Sequence, residues 1–258
     1  MTHIVVATPT YKNVVSTGYL QSLLQYVRTP RMPLFSYSMV PGDSLVTRAR
    51  NSLFSRYARE YREHGYTHLF WQDDDIAIDG DGLVRVIESG HDVVGIPYPL
   101  KTDDLAWGIP CAVVGVYEEV RPFLYKALLT GTGALLMSNQ AVEALVDYCE
   151  SEEMFYMDKG AKIYDVFRVG ARDGVYYSED WHLCRVLRML GFDIHVDSSS
   201  PCTHFEGGRA YTRPALEIDP RAIKRLDVSQ LRPEEQLSYW TPNDYLSRHT
   251  DFPVSNFQ

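Results

Sequence analysis

The chain has 258 residues, of which 45% are hydrophobic and 23% charged, and carries a formal net charge of −9. That length supports one large α/β domain, or one domain with an appended tail, with the composition of an ordinary globular protein. The acidic balance argues against broad binding of a phosphate backbone, which takes a basic surface, although Arg209, Arg213, Arg221, Lys224 and Arg225 gather locally. The first predicted element is a strand, Ile4–Ala7, broken at Pro9. It presents Thr8, Thr10 and Tyr11 at its carboxyl end, as a ligand-facing edge or a plain strand-to-loop transition would. A helix over Val14–Val27 and a strand over Leu34–Met39 follow. The next helix, Ser44–Glu60, has Asp43 or Ser44 as its predicted N-cap. Leu45, Ala49, Leu53 and Tyr57 form its core stripe at four-residue spacing. Arg48 and Asn51, three apart, share another face, which either addresses a ligand or is simply solvated.

The most informative stretch comes next. An apolar strand, His68–Trp71, runs through Gln72 straight into Asp73, Asp74 and Asp75. Adjacent carboxylates repel and are costly to bury without a countercharge. A hard divalent cation resolves the conflict, and such ions share carboxylate oxygens with substrate phosphates. Asp73 and Asp75 point to the same side of an extended chain. A solvated acidic turn is the bland alternative. A helix over Gly82–Glu88 and a strand over Val93–Gly95 lead to Gly131-Thr132-Gly133, a turn in which two glycines permit close backbone approach. It enters a strand, Ala134–Met137, followed by a helix, Asn139–Glu150. Ser178 caps a helix over Glu179–Leu190, whose acidic first turn suits the helix dipole and is also where a general base would stand. A strand over Ile194–Val196 precedes His204, which becomes a metal-ligand candidate only if the fold returns it to the acidic run. Beyond residue 208 the composition shifts to Pro, Arg and aromatic residues.

Alternating strands and helices predict an α/β domain with a largely parallel sheet and ligands beyond the carboxyl ends of its strands. Cys111, Cys149, Cys184 and Cys202 have no C-x-x-C spacing and read as buried, reduced thiols. No basic region precedes an apolar run at the N-terminus, and no apolar run nears the roughly 20 residues that span a bilayer. A soluble cytoplasmic protein with no membrane partner is expected.

Taken in order, these motifs resemble those of GT-A glycosyltransferases. The resemblance runs over roughly residues 3–208: a first strand that contacts a nucleoside, the Arg48-Ala49-Arg50-Asn51 helix, the Asp73-Asp74-Asp75 turn, Gly131-Thr132-Gly133, the Glu179-Asp180-Trp181 helix start and a late His204. It implies a Rossmann-like α/β domain over 1–208, with a mostly parallel central sheet and an extension over 209–258 packed on it. It implies a UDP-sugar donor bound by Thr8, Pro9, Thr10, Tyr11, Arg48, Asn51, Asp73, Asp74, Gly131, Thr132 and Gly133. Mn²⁺ or Mg²⁺ would sit on Asp73, Asp75 and His204, the nitrogen ligand favouring Mn²⁺. Asp180, and in second place Glu179, would deprotonate the acceptor, with Trp181, Arg209 and Arg213 on the acceptor side.

The compact size is similar to that of the viral and bacteriophage enzymes that glycosylate hydroxymethylated pyrimidines. That likeness implies 5-hydroxymethylcytosine or a related base in DNA as acceptor, within the host cytoplasm, and the tail residues Arg209, Tyr211, Arg213, Arg221, Lys224, Arg225 and Trp240 would help grip it. A polysaccharide or lipopolysaccharide is the competing acceptor. The alternative of another class is a non-catalytic nucleotide-sugar-binding protein. A nucleotidyltransferase would use similar carboxylates but also a Gly-rich basic loop, which Thr8-Pro9-Thr10-Tyr11 is not.

Overall fold

A computed structural model describes residues 1–102, 111–172 and 175–215. The expected extension beyond residue 215, with Arg221, Lys224, Arg225 and Trp240, lies outside the described residues. In chain order the first elements are β1 (His3–Thr10), α1 (Thr17–Arg28), β2 (Leu34–Pro41), α2 (Val46–His64), β3 (His68–Gln72), β4 (Ile76–Ile78), α3 (Gly80–Glu88) and β5 (Val93–Gly95). Then come β6 (Val113–Val114), β7 (Glu118–Arg121), β8 (Leu124–Ala127), β9 (Leu129–Thr130), β10 (Ala134–Ser138) and α4 (Asn139–Ser151). The chain continues through β11 (Phe155–Asp158), β12 (Ala161–Tyr164), β13 (Gly170–Arg172), β14 (Val175–Tyr177), α5 (Glu179–Met189), β15 (Ile194–Asp197), β16 (Cys202–Glu206) and β17 (Arg209–Arg213).

Eight strands form the central sheet in the order β2-β1-β3-β10-β5-β15-β8-β7. β2, β1, β3, β5, β15 and β7 point one way, and β10 and β8 run against them. The sheet is therefore mostly parallel, as the alternation of elements predicts. Successive strand side chains serve opposite faces. Val5 and Ala7 of β1 and Leu69 and Trp71 of β3 join one apolar cluster, with Leu53 and Tyr57 of α2, Leu145 of α4 and Leu187 of α5. Ile4, Val6 and Phe70 join the other, with Tyr26 of α1 and Leu83 of α3. Burying each large apolar side chain contributes roughly 1.5–3 kcal/mol. Among the described residues no helix is long and apolar enough to cross a membrane.

Two local expectations need correction. α2 begins at Val46 with Leu45 in the cap position and no side-chain cap bond. The Asp43 carboxylate is committed elsewhere: it clasps Arg48 through two hydrogen bonds of 2.8 Å and accepts the Leu45 N–H. The second correction concerns the boundary after residue 208. That point lies in the turn between β16 and β17, which pair from Cys202↔Arg213 to Glu206↔Arg209. Arg209–Arg213 therefore belong to the domain's own three-stranded sheet, β17-β16-β4. The Ser178 cap is as expected, with Trp181 N–H donating to its hydroxyl at 3.5 Å.

Candidate active site

The carboxyl ends of β1 and β3 open into a cleft of about 670 Å³. Its lining includes Pro9, Thr10, Tyr11, Asp73, Asp74, Asp75, Lys101, Gly207 and Gly208. The acidic turn at its floor is fixed by backbone bonds to distant segments. Asp73 N–H donates to Gly133 O at 3.0 Å, Ser16 N–H to Asp74 O at 2.8 Å, and Phe205 N–H to Asp75 O at 2.8 Å. Behind it, the buried Gln72 side chain accepts from Tyr26 Oη at 2.8 Å and donates to Ile76 O at 2.9 Å. The backbone that carries the three carboxylates is thus held from several sides.

β4 leaves this turn and pairs antiparallel with β16, setting His204 opposite Ile76. That register returns His204 to the acidic run. Its Nε2 lies 3.4 Å from Asp75 Oδ2, and its Nδ1 donates to Pro99 O at 2.8 Å. Lys101 Nζ lies 2.7 Å from the same Asp75 oxygen. Burial raises the Asp75 carboxyl, but the His204 and Lys101 hydrogen bonds outweigh it and hold it below the ordinary carboxylate range.

Asp73 has a different partner. Arg50, 3% exposed, places Nη2 within 2.9 and 3.0 Å of its two oxygens. Burial opposes the Arg50 charge, yet Asp73, Asp180 and Glu179 outweigh it and raise the guanidinium pKa. Burial also raises the Asp73 carboxyl, against the pull of Arg50. Asp74 is raised by burial, and the neighbouring Asp75 and Asp73 charges raise it further. The carboxylates of Asp73 and Asp75, expected to converge on one cation, are therefore each neutralised by a separate side chain.

The remaining expected residues divide. Tyr11 is 60% exposed on the cleft wall. The Thr10 hydroxyl donates to Val14 O at 3.0 Å. Thr8 is fully buried and bonded to Tyr19 Oη at 2.7 Å, so its hydroxyl is turned away from any ligand. Asn51 is also a correction. It braces the core, donating to Asp165 at 2.8 Å and accepting from Phe167 N–H at 2.8 Å. Arg48 stays exposed beside Asp43. Arg213, expected on the acceptor side, is 1% exposed and donates to the carbonyls of Pro97, Ser198, Pro214 and Ser200. Its fork is spent on joining loops. Arg209 lies on β17 with its guanidinium 5.3 Å from the Tyr211 ring. Trp181 packs against the apolar cluster beneath α5. Asp180 accepts from the buried Thr132 hydroxyl at 2.9 Å, and burial together with Asp180 raises the Glu179 carboxyl.

The two glycines around Thr132 approach Tyr98. A Cβ at Gly131 would stand 2.1 Å from Tyr98 Oη, and one at Gly133 would meet that ring at 2.9 Å and Asp73 Oδ2 at 3.0 Å. Gly131→Ala is expected to cost about 1–3 kcal/mol through overpacking. Urea unfolding measures this, and a loss under about 0.5 kcal/mol would show that Tyr98 yields freely.

Sequence reasoning took Arg50 only as part of the Arg48-Ala49-Arg50-Asn51 helix and did not single out Tyr98 or Lys101. Arg50 is four residues before Phe54 and seven before Tyr57, both buried, a spacing that puts it on the buried face of α2. Tyr98 and Lys101 follow the carboxyl end of β5, where ligands of an open α/β sheet sit.

No known family matches the sequence, and no curated protein matches it. Among solved structures the fold is similar to that of A197 from STIV, with a TM-score of 0.52 at 17% identity, covering 85% of this chain and 95% of that one. A glycosyltransferase involved in the glycosylation of the major capsid of PBCV-1 gives a TM-score of 0.30 at 10% identity, over 54% of this chain and 61% of that one. That likeness is too weak to bear on function.

Proposed function

We propose that this chain is a metal-assisted glycosyltransferase that moves a sugar from a UDP-sugar to an acceptor hydroxyl. The observation that carries the reading is the braced Asp73-Asp74-Asp75 turn on the floor of the cleft, with His204 brought to Asp75 by the β4–β16 register. Tyr11 on the wall offers a face for the nucleobase.

The reading implies a divalent cation. Among the described residues no group of three or more His, Cys, Asp and Glu side chains is set to hold one. Two protein ligands suffice where substrate phosphates complete the shell, and Asp75 with His204 supplies two. The ring geometry supports that pairing. Nδ1 donates to Pro99 O, which leaves Nε2 as the ring nitrogen that faces Asp75 Oδ2 at 3.4 Å. Nε2 and Oδ2 are set side by side, and the Pro99 bond orients the ring as an outer-shell partner does. A bound Mn²⁺ or Mg²⁺ would neutralise charge gathering on the departing diphosphate.

In the inverting form of the reaction, the acceptor oxygen attacks the anomeric carbon while its proton passes to Asp180. The bond from that carbon to the diphosphate breaks, and its electron pair leaves with UDP. Thr132 donates to one Asp180 oxygen, and the Glu179 carboxyl also hydrogen-bonds to Asp180. With Arg213 removed from the acceptor side, the DNA reading rests on Arg209 and on residues beyond 215.

The test is a screen of UDP-sugars with Mn²⁺ against hydroxymethylated DNA, unmodified DNA and simple glycans, read by mass spectrometry of both products. Transfer should stop with chelator and in Asp75→Asn. Full transfer in chelator sinks the metal role. UDP-sugar binding with neither transfer nor slow donor hydrolysis would make the chain a binding protein. Gain of mass by glycans alone would overturn the DNA acceptor.

A further inference from the structure

Lys101 is unused by the mechanism above, yet its ammonium stands on the oxygen that the proposed cation needs. Its Nζ is 2.7 Å from Asp75 Oδ2, the atom that His204 Nε2 also faces at 3.4 Å. An ammonium and a divalent ion repel each other at that separation and cannot share one carboxylate oxygen. Lys101 also lines the cleft together with Asp75, Gly207 and Gly208, and its side chain is 27% exposed, so it has room to swing. A lysine head is a compact point charge on a flexible four-carbon stem, suited to moving between anionic partners. Arg50 contrasts with it, buried and fixed on Asp73.

We propose that Lys101 is an exchangeable counter-ion. It holds the cation position on Asp75 until a metal takes Asp75 and His204, and it then passes to the donor diphosphate. The inference rests on the glycosyltransferase reading and adds an order to binding. Metal alone must displace Lys101 and gains nothing for it, whereas metal with a diphosphate gives the displaced ammonium a new anionic partner. Metal and UDP then bind cooperatively, and the coupling runs through this one side chain.

The test uses Lys101→Met and Lys101→Arg in the full chain, with Mn²⁺ alone and UDP with Mn²⁺ as probes, by calorimetry and by the Mn²⁺ electron paramagnetic signal. Lys101→Met should bind Mn²⁺ alone on the order of 10-fold tighter, since the competitor is gone, and UDP with Mn²⁺ on the order of 10-fold more weakly, since a charge-assisted phosphate contact is lost. Lys101→Arg should move both values back toward the native chain. A side chain that merely supports the fold would not shift the two affinities in opposite directions, and circular dichroism confirms folding. Unchanged Mn²⁺ affinity, or unchanged UDP affinity, in Lys101→Met overturns the exchange. If the native chain and Lys101→Met both bind UDP but neither takes up Mn²⁺, the metal role itself falls and the exchange falls with it. That result is distinct from Mn²⁺ binding that ignores residue 101.

Discussion

Arg50→Met is expected to lower the free energy of unfolding by about 3–5 kcal/mol, the range for breaking a buried ion pair from one side. The native guanidinium is 3% exposed, sits on both Asp73 oxygens and balances Asp180 and Glu179 as well. Methionine fills much of the volume, so the loss reports charge rather than a cavity. Burial already raises the Asp73 carboxyl, and without Arg50 it rises further. A carboxyl whose folded pKa exceeds its unfolded value holds its proton more tightly in the folded chain. Its burden is therefore full at neutral pH and fades as pH falls toward the unfolded value. The deficit of Arg50→Met should shrink between pH 7 and pH 4, and adding Asp73→Asn should recover part of it in a double-mutant cycle. Urea unfolding at both pH values measures this. A deficit under about 1 kcal/mol, or one that grows in acid, would show that Arg50 does not carry these charges.

The second large effect lies at the opposite end of β5 and β15. His195 on β15 is 5% exposed and stacks on His91, with ring centroids 3.8 Å apart and planes 16° apart. Burial first, then His91, lowers the His195 pKa to about 4, while nearby Asp193 opposes and Lys126 adds to the shift. His91 is lowered as well, by burial and then by Arg121, with Asp193 and Asp92 opposing. The neutral rings are the folded form. The unfolded chain binds protons from about pH 6.5 downward while the folded chain resists until about pH 4, so stability is present above 6.5 and lost across that window. For His195 the loss amounts to about 3 kcal/mol. His195→Phe keeps the aromatic stack and removes the titration. Its unfolding free energy should fall less steeply than that of the native chain, since the His195 contribution is gone while that of His91 remains. Equal slopes from pH 6.5 to 4 in both proteins would overturn the assignment.

Much of the fold is legible in the sequence because β1, β3 and β10 are long enough to show apolar character, and α2, α4 and α5 long enough to show a period. The strands that escaped, such as β4, β16 and β17, have three to five residues and cannot display alternation against their neighbours. That failure has a cost at the site. Three successive carboxylates after an apolar run are visible at once, but the return of His204 depends on β4–β16 pairing, a tertiary fact. A stripe at strict four-residue spacing through Leu45, Ala49, Leu53 and Tyr57 leaves Arg50 off the buried face. Leu45 proves 54% exposed, and the buried face widens to take Arg50, Phe54 and Tyr61. Asn51 and Arg213 were misread for a common reason. A polar side chain that ties buried backbone looks, in one dimension, like one waiting for a ligand.

The three backbone bonds that shape the acidic turn come from Ser16, Gly133 and Phe205, which span most of the chain. Contacts so distant in sequence close late, because the entropy of closing long loops opposes them until the intervening chain has packed. On a ribosome, β1, β2 and β3 can pair while synthesis is still under way, whereas the turn stays unshaped until β16 has emerged. A nascent chain from which residues up to Pro201 have emerged would hold most of its central sheet yet hold Asp75 without its brace or its histidine. The braced acidic turn would then arrive abruptly, with β16 and β17, the last of the described strands to leave the tunnel.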